Sequence, residues 1–237
     1  MHSNSKRSRW IKRQTRITRL THWAWALSMF FLLGSGLQIF NAHPTLYIGD
    51  QSGFGFDNTV LSLGSGARAF PAWATIPSGV DLATGRIIHF FFAWVLVGSL
   101  FLWFLGALLS GHLICDLIPH KADLRDFKQD VRVHLRLRLP HRRHYGPLQK
   151  LSYGLVLFIL FPLIVATGLA MSPGINAAVP WLSEVLGGRQ TARTLHFCAA
   201  FGFLAFFIVH VAMVLLAGPV NEMRSMITGW YHLDEGE

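Results

Sequence analysis

Four uninterrupted apolar runs set the plan of the chain: Trp23–Phe40, Ile87–Leu109, Leu151–Met171 and Leu195–Ala217. None of them contains Asp, Glu, Lys or Arg. A helix needs about 20 such residues to cross the hydrocarbon of a bilayer. Backbone groups find no water there, so a run of this kind spans as a helix. The pattern predicts an all-α integral membrane four-helix bundle, up-down-up-down, with residues 1–237 forming a single membrane domain. The first run is the shortest, at 18 residues, and follows a basic stretch, as a signal-peptide core does. No small-x-small cleavage site follows it, so we read it as a span.

Charge then orients the bundle. The chain carries 21 Lys and Arg, and its formal net charge is +9. A basic balance could mean a nucleic-acid partner, but these residues sit between apolar runs, where they report membrane orientation. Seven lie in residues 1–21, nine in the loop over 110–150 and one, Arg224, in the tail. The loop over 41–86 has Arg68 and Arg86, and the third loop has Arg189 and Arg193. Seventeen against four places both termini and the 110–150 loop in the cytoplasm. The expected location is the bacterial cytoplasmic (inner) membrane, N-in and C-in.

The loops add detail. The outer loop, 41–86, is rich in Gly, Ser, Phe and Trp. Loops of that length fold on themselves or have a function, so a bundle cap and a partner-docking surface are both expected roles. In the basic cytoplasmic loop, Val131–Leu139 alternates apolar and basic residues, a pattern that can lie on anionic lipid. Pro173, Pro180, Trp181 and Gly187–Gly188 predict turns and a surface anchor. Cys115 and Cys198 fall in opposite leaflets and cannot pair. Neither belongs to a Cys-x-x-Cys-His motif, which excludes covalent c-type haem attachment, and there is no Cys cluster for iron–sulfur.

Ionisable groups inside a membrane are expensive and are functional candidates by default. Histidine is the only one here. His22, His89, His196 and His210 lie in or at the edges of the spans. The other eight (His2, His43, His112, His120, His134, His141, His144 and His232) read as solvated loop or tail residues. Depth sorts the four into two pairs. His89 and His196 are near the outer side, His22 and His210 near the inner side. His196 and His210 are 14 residues apart, which at 100° per residue returns within roughly 40° of one helix face, with a rise of roughly 21 Å.

Two in-line imidazoles from facing helices are what a b-type haem requires, and bundle interiors are common sites for such cofactors. Two haem b groups are therefore expected. The outer haem would be held by His89 and His196, the inner haem by His22 and His210. A metal site, a proton relay and plain packing are the alternatives for buried histidine. Zinc transport or a proton relay would usually bring Asp or Glu into the spans, and there are none. Arg86 and Arg193 each stand three residues before a histidine, and Arg16 and Arg19 precede His22. All four are candidates for haem propionates and equally for membrane-edge anchors. Gly34, Gly36, Gly98, Gly154, Gly168 and Gly202 lie inside spans, where a missing side chain makes room for a macrocycle or for close helix approach.

Thr-His-Trp at 21–23, Gly-Arg-x-x-His-Phe at 85–90, Gln-Lys-x-x-Tyr at 149–153, Arg-x-x-His-Phe at 193–197 and Val-His-Val at 209–211 together form a known pattern. Over about residues 10–230 the chain resembles the bacterial four-helix di-haem cytochrome b subunits of nickel–iron hydrogenases, formate dehydrogenases and thiosulfate reductases. That resemblance implies the same two histidine pairs. It also implies electron exchange between the membrane quinone pool and a partner, often a periplasmic metalloenzyme. In formate-dehydrogenase-like members the quinone lies near the inner haem, against the start of the third helix. There an Asn and a Gly precede the Gln-Lys, whereas here the stretch reads His144-Tyr145-Gly146-Pro147-Leu148-Gln149-Lys150, without the Asn. Gln149, Ser152 and Tyr153 are the quinone candidates, with helix-start anchoring as their other reading.

The expected function is a di-haem b-type cytochrome subunit that transfers electrons between the quinone pool and a partner oxidoreductase on the periplasmic face. A stand-alone haem quinone oxidoreductase, such as one oxidising superoxide at the outer haem, is the near alternative. A histidine-lined metal or proton transporter is the alternative of a different class.

Overall fold

The structure, a computed structural model, describes residues 9–53, 55–64, 68–111, 125, 127–132 and 146–233. Its long helices are α1 (Arg16–Asn41), α2 (Leu82–Leu109) and α3 (Pro147–Met171). Two short helices follow, α4 (Pro173–Ala178) and α5 (Trp181–Val185). A fourth long helix, α6 (Arg189–Leu216), and the amphipathic α7 (Pro219–Thr228) come next. The four long helices are each long and apolar enough to cross a membrane, as the four runs predict, and the fold class is a four-helix membrane bundle. Residues 133–139 of the segment expected on lipid lie outside the described residues. So do Cys115 and the histidines at 2, 112, 120, 134, 141 and 144.

Each helix begins a turn or two before its apolar run, because polar residues there satisfy the free N–H groups of the first turn. At α1, Thr15 Oγ1 accepts from Thr18 N at 3.1 Å. At α2, Asp81 Oδ1 accepts from Thr84 N at 3.0 Å, and these bonds from Thr84 hold the Asp81 carboxyl below the usual carboxylate range. Pro147 opens α3, a position where its missing N–H costs nothing. There the buried Asp130 accepts from Leu148 N at 3.1 Å. Midway, α3 widens into a π segment at Val156–Leu160. Pro162 stands two residues beyond its end, and a proline ring clashes with the carbonyl four residues back.

The chain divides into two compact units. One combines Ala24–Ser99 with Leu157–Leu204; the other combines Met1–Trp23, Leu100–Val156 and Ala205–Glu237. In the first unit, small and hydroxyl side chains fill the interior: Ser28, Ser35, Thr167, Ala170 and Ala192 are all fully buried. Large apolar residues face outward instead, with Phe30 64% exposed, Phe91 62% and Trp94 67%. A water-soluble core has the reverse pattern. Here lipid solvates the large side chains while small residues allow close helix approach.

The loop over 41–86 folds onto the start of α6 in this unit. Strands β1 (Thr45–Tyr47) and β2 (Thr59–Ser62) pair antiparallel. Gly49 O accepts from Gln190 N at 2.9 Å and Thr191 N at 3.2 Å, so the loop backbone caps α6. Thr194 Oγ1 donates to Tyr47 O at 2.7 Å. Arg193 donates to Thr45 O at 3.0 Å and also to His43 O. The loop backbone is thus bonded to the first turns of α6.

The second unit has a two-stranded ribbon that pairs the chain's two ends, β3 (Arg9–Lys12) with β4 (Trp230–Leu233), although β3 comes first in the sequence. Gly229, at φ 89°, ends α7 and turns the chain into β4. A Cβ there would stand 3.0 Å from Gln14 O. Arg13 pairs with Glu222 at 3.4 Å and lies 4.5 Å over the Tyr231 ring. No strand was expected in either tail. Segments of four residues carry too little periodicity to announce a pairing more than 200 positions apart.

Candidate functional site

Each unit brings together one of the histidine pairs that depth along the spans predicts. In the first unit, His89 of α2 and His196 of α6 have ring centres 6.2 Å apart, with planes at 59°. Both rings are braced in the same way. His89 Nδ1 lies 3.0 Å from Ser35 Oγ on α1, and His196 Nδ1 lies 3.0 Å from Thr167 Oγ1 on α3. Each hydroxyl donates its own proton to a helix carbonyl one turn back, Ser35 to Phe31 O and Thr167 to Leu163 O. With its proton so directed, the hydroxyl oxygen is an acceptor for the Nδ1–H tautomer of the imidazole, in which the Nε2 lone pair stays free.

The residue after each hydroxyl is glycine. A Cβ on Gly36 would stand 3.4 Å from His89 Cε1, and a Cβ on Gly168 would stand 3.4 Å from His196 Cε1. Two neighbouring residues on α1 and two on α3 thus form matching cradles.

In the second unit, His22 of α1 and His210 of α6 also have ring centres 6.2 Å apart, with planes at 55°. Their bracing is different. Phe206, one turn earlier on α6, stacks on His210 at 5.7 Å and 19°, and Trp23 meets His22 edge-on. His22 Nδ1 is buried and has no hydrogen-bond partner among the described residues.

The ring separations can be compared with those of a bis-imidazole iron site. Two imidazoles sharing an iron at about 2.0 Å, each nitrogen about 1.1 Å from its ring centre, hold those centres about 6.2 Å apart. Both pairs meet that figure. Among the described residues no three of His, Cys, Asp and Glu converge. Haem iron carries four equatorial nitrogens of its own and takes two axial ones.

The arginines divide. Arg193 engages the loop carbonyls of Thr45 and His43 and lies 5.5 Å over the Phe40 ring. Arg86 is exposed, 5.9 Å over the Phe90 ring. Arg16 and Arg19 line a groove of about 310 Å³ with Leu20, Trp23, Met226 and Ile227. Arg19 donates to Ile227 O while its Nε is buried without a partner among the described residues. Replacing Arg193 by alanine is expected to cost about 1.5–3 kcal/mol, the usual range for hydrogen bonds to a charged group. Proteolysis of the β1–β2 hairpin should then speed up by roughly tenfold to a hundredfold. Loss of haem with an unchanged cleavage rate would instead assign Arg193 to the cofactor.

At the start of α3, Gln149 Nε2 donates to Tyr153 Oη at 2.8 Å and Ser152 Oγ donates to Leu148 O at 2.9 Å. Two of the span glycines have ordinary packing roles. Gly34 admits Ile76, whose Cγ1 would lie 2.7 Å from an added Cβ, and Gly202 admits Leu160. Sequence reading missed Ser35 and Thr167. Their only signal is the recurrence of a hydroxyl-glycine pair, Ser35-Gly36 and Thr167-Gly168, in the two spans that contribute no histidine at that depth.

The family model described as prokaryotic cytochrome b561 matches residues 13–229. The chain is also 29% identical over 202 residues to a protein of Azospira oryzae named putative protein-methionine-sulfoxide reductase subunit YedZ1. That match covers 84% of this chain and 87% of the relative.

Proposed function

Because this chain belongs to the prokaryotic cytochrome b561 family, and so is a multi-pass membrane haem b protein of electron transfer, we propose that it carries two haem b groups and links the quinone pool to a partner oxidoreductase. His89 and His196 hold one haem, at the outer side. His22 and His210 hold the other, at the cytoplasmic side, where the Lys- and Arg-rich segments gather. When bound, haem supplies one-electron iron chemistry whose potential is set by axial ligands, hydrogen bonding and burial.

The observation that carries the reading is the repeated 6.2 Å imidazole separation, once per unit. The chain's own contribution is to keep Nε2 of each ring free, to exclude water with apolar side chains and to present both pairs from one helix, α6. The quinone site is placed at the start of α3, where Gln149 and Tyr153 present a polar pair beside apolar helix. The partner is placed at the face capped by the β1–β2 hairpin. The relative's name, a reductase subunit, supports a partner that reduces a substrate.

The test is reduction by quinol. Protein in liposomes given a water-soluble quinol should develop a reduced b-type α band within seconds, and Tyr153→Phe together with Gln149→Ala should slow this at least tenfold. A band produced by dithionite but never by quinol would contradict the quinone link.

A further inference from the structure

We propose that Ser35 and Thr167 are positioning residues for the His89–His196 haem, and that they hold its reduction potential below the value the bare imidazoles would give. The inference rests on the haem reading above and goes beyond it, since it assigns two residues that would act through the ligands His89 and His196.

Three observations carry it. Each hydroxyl lies 3.0 Å from the Nδ1 of one ligand. Both hydroxyl residues are built into the interior, Ser35 and Thr167 being fully buried. Each hydroxyl also donates backward to a carbonyl of its own helix, which polarises its oxygen as an acceptor. An imidazole that donates Nδ1–H to such an oxygen is a more basic ligand through Nε2, and a more basic ligand favours ferric over ferrous iron.

Among the described residues the His22–His210 pair shows no such hydroxyl. His22 Nδ1 has no partner among the described residues, and His210 is held by the Phe206 ring. As far as ligand hydrogen bonding decides, the two haems are therefore unequal, the His89–His196 one being harder to reduce.

The proposal is tested by potentiometric titration of the purified protein, with the haems resolved by α-band wavelength and by the low-spin ferric EPR signals. A His22→Ala background leaves one haem to titrate. In Ser35→Ala with Thr167→Val, the ferric-to-ferrous ratio at fixed potential should fall about tenfold, a rise of about 59 mV for one electron. With His22 intact, the same two substitutions should shift the EPR signal of that haem while the His22–His210 signal stays in place. Ser35→Thr and Thr167→Ser, which keep the hydroxyl, should titrate as wild type.

A double variant with haem bound and potential unmoved would overturn the proposal and leave the haem reading intact. If the double variant loses this haem, the hydroxyl-keeping variants decide. Retention at the wild-type potential supports positioning, and loss in them too overturns it in favour of packing. A wild-type protein that binds no haem, or His89→Ala that keeps both, would instead sink the underlying reading.

Discussion

Exchanging His196 for alanine will leave the protein with one haem per chain instead of two, and exchanging His196 and His210 together will leave none. The helix α6 supplies one ligand to each pair, so it is where a single change discriminates best. One remaining imidazole cannot hold a bis-histidine iron. The helices should survive the change, because Thr167 keeps its bond to Leu163 O at 2.6 Å and leaves no buried hydroxyl unsatisfied. Far-ultraviolet circular dichroism should therefore match wild type while the Soret absorbance halves. An unaltered haem content in His196→Ala would mean that the pairs are wrongly drawn.

The second large effect concerns glycine. Gly168→Leu, or Gly36→Leu, should abolish the His89–His196 haem, whereas the alanine variants keep it. An added Cβ stands 3.4 Å from the ring carbon, an ordinary contact, so alanine fits. A leucine carries its chain about one further bond length, some 1.5 Å, and helical rotamers restrict where that chain can go. The ring must then swing away from its hydroxyl. Overpacking of this kind costs about 1–3 kcal/mol and losing the hydrogen bond about 1 kcal/mol more. Haem content per chain, compared across glycine, alanine and leucine at each position, checks the prediction. Full haem in Gly168→Leu would show that the cradle does not constrain His196.

The spans and both histidine pairs were legible because the membrane simplifies the problem. Charge is excluded from apolar runs, so four histidines stand out, and helical rise converts their positions into depth. Bracing was not legible. A serine or threonine in a span ordinarily bonds back to its own helix. Ser35 and Thr167 do this, and nothing local marks the second bond to histidine. Caps formed at a distance were hidden for the same reason. That Gly49 O would serve α6, and Asp130 the start of α3, depends on how the loops return. The expected propionate role of Arg193 meets a competing demand from the carbonyls of Thr45 and His43, which no spacing rule reveals. The ribbon joining β3 to β4 arises from chain ends that only the folded helices bring together.

The pyridine haemochrome assay on protein purified in detergent, read with the dithionite-reduced minus oxidised spectrum, tests the central claim most directly. Two bis-histidine sites predict a b-type α band and close to two haems per chain. A preparation from haem-replete cells with no Soret band would contradict the account and make the four histidines a pathway for a metal ion or for protons.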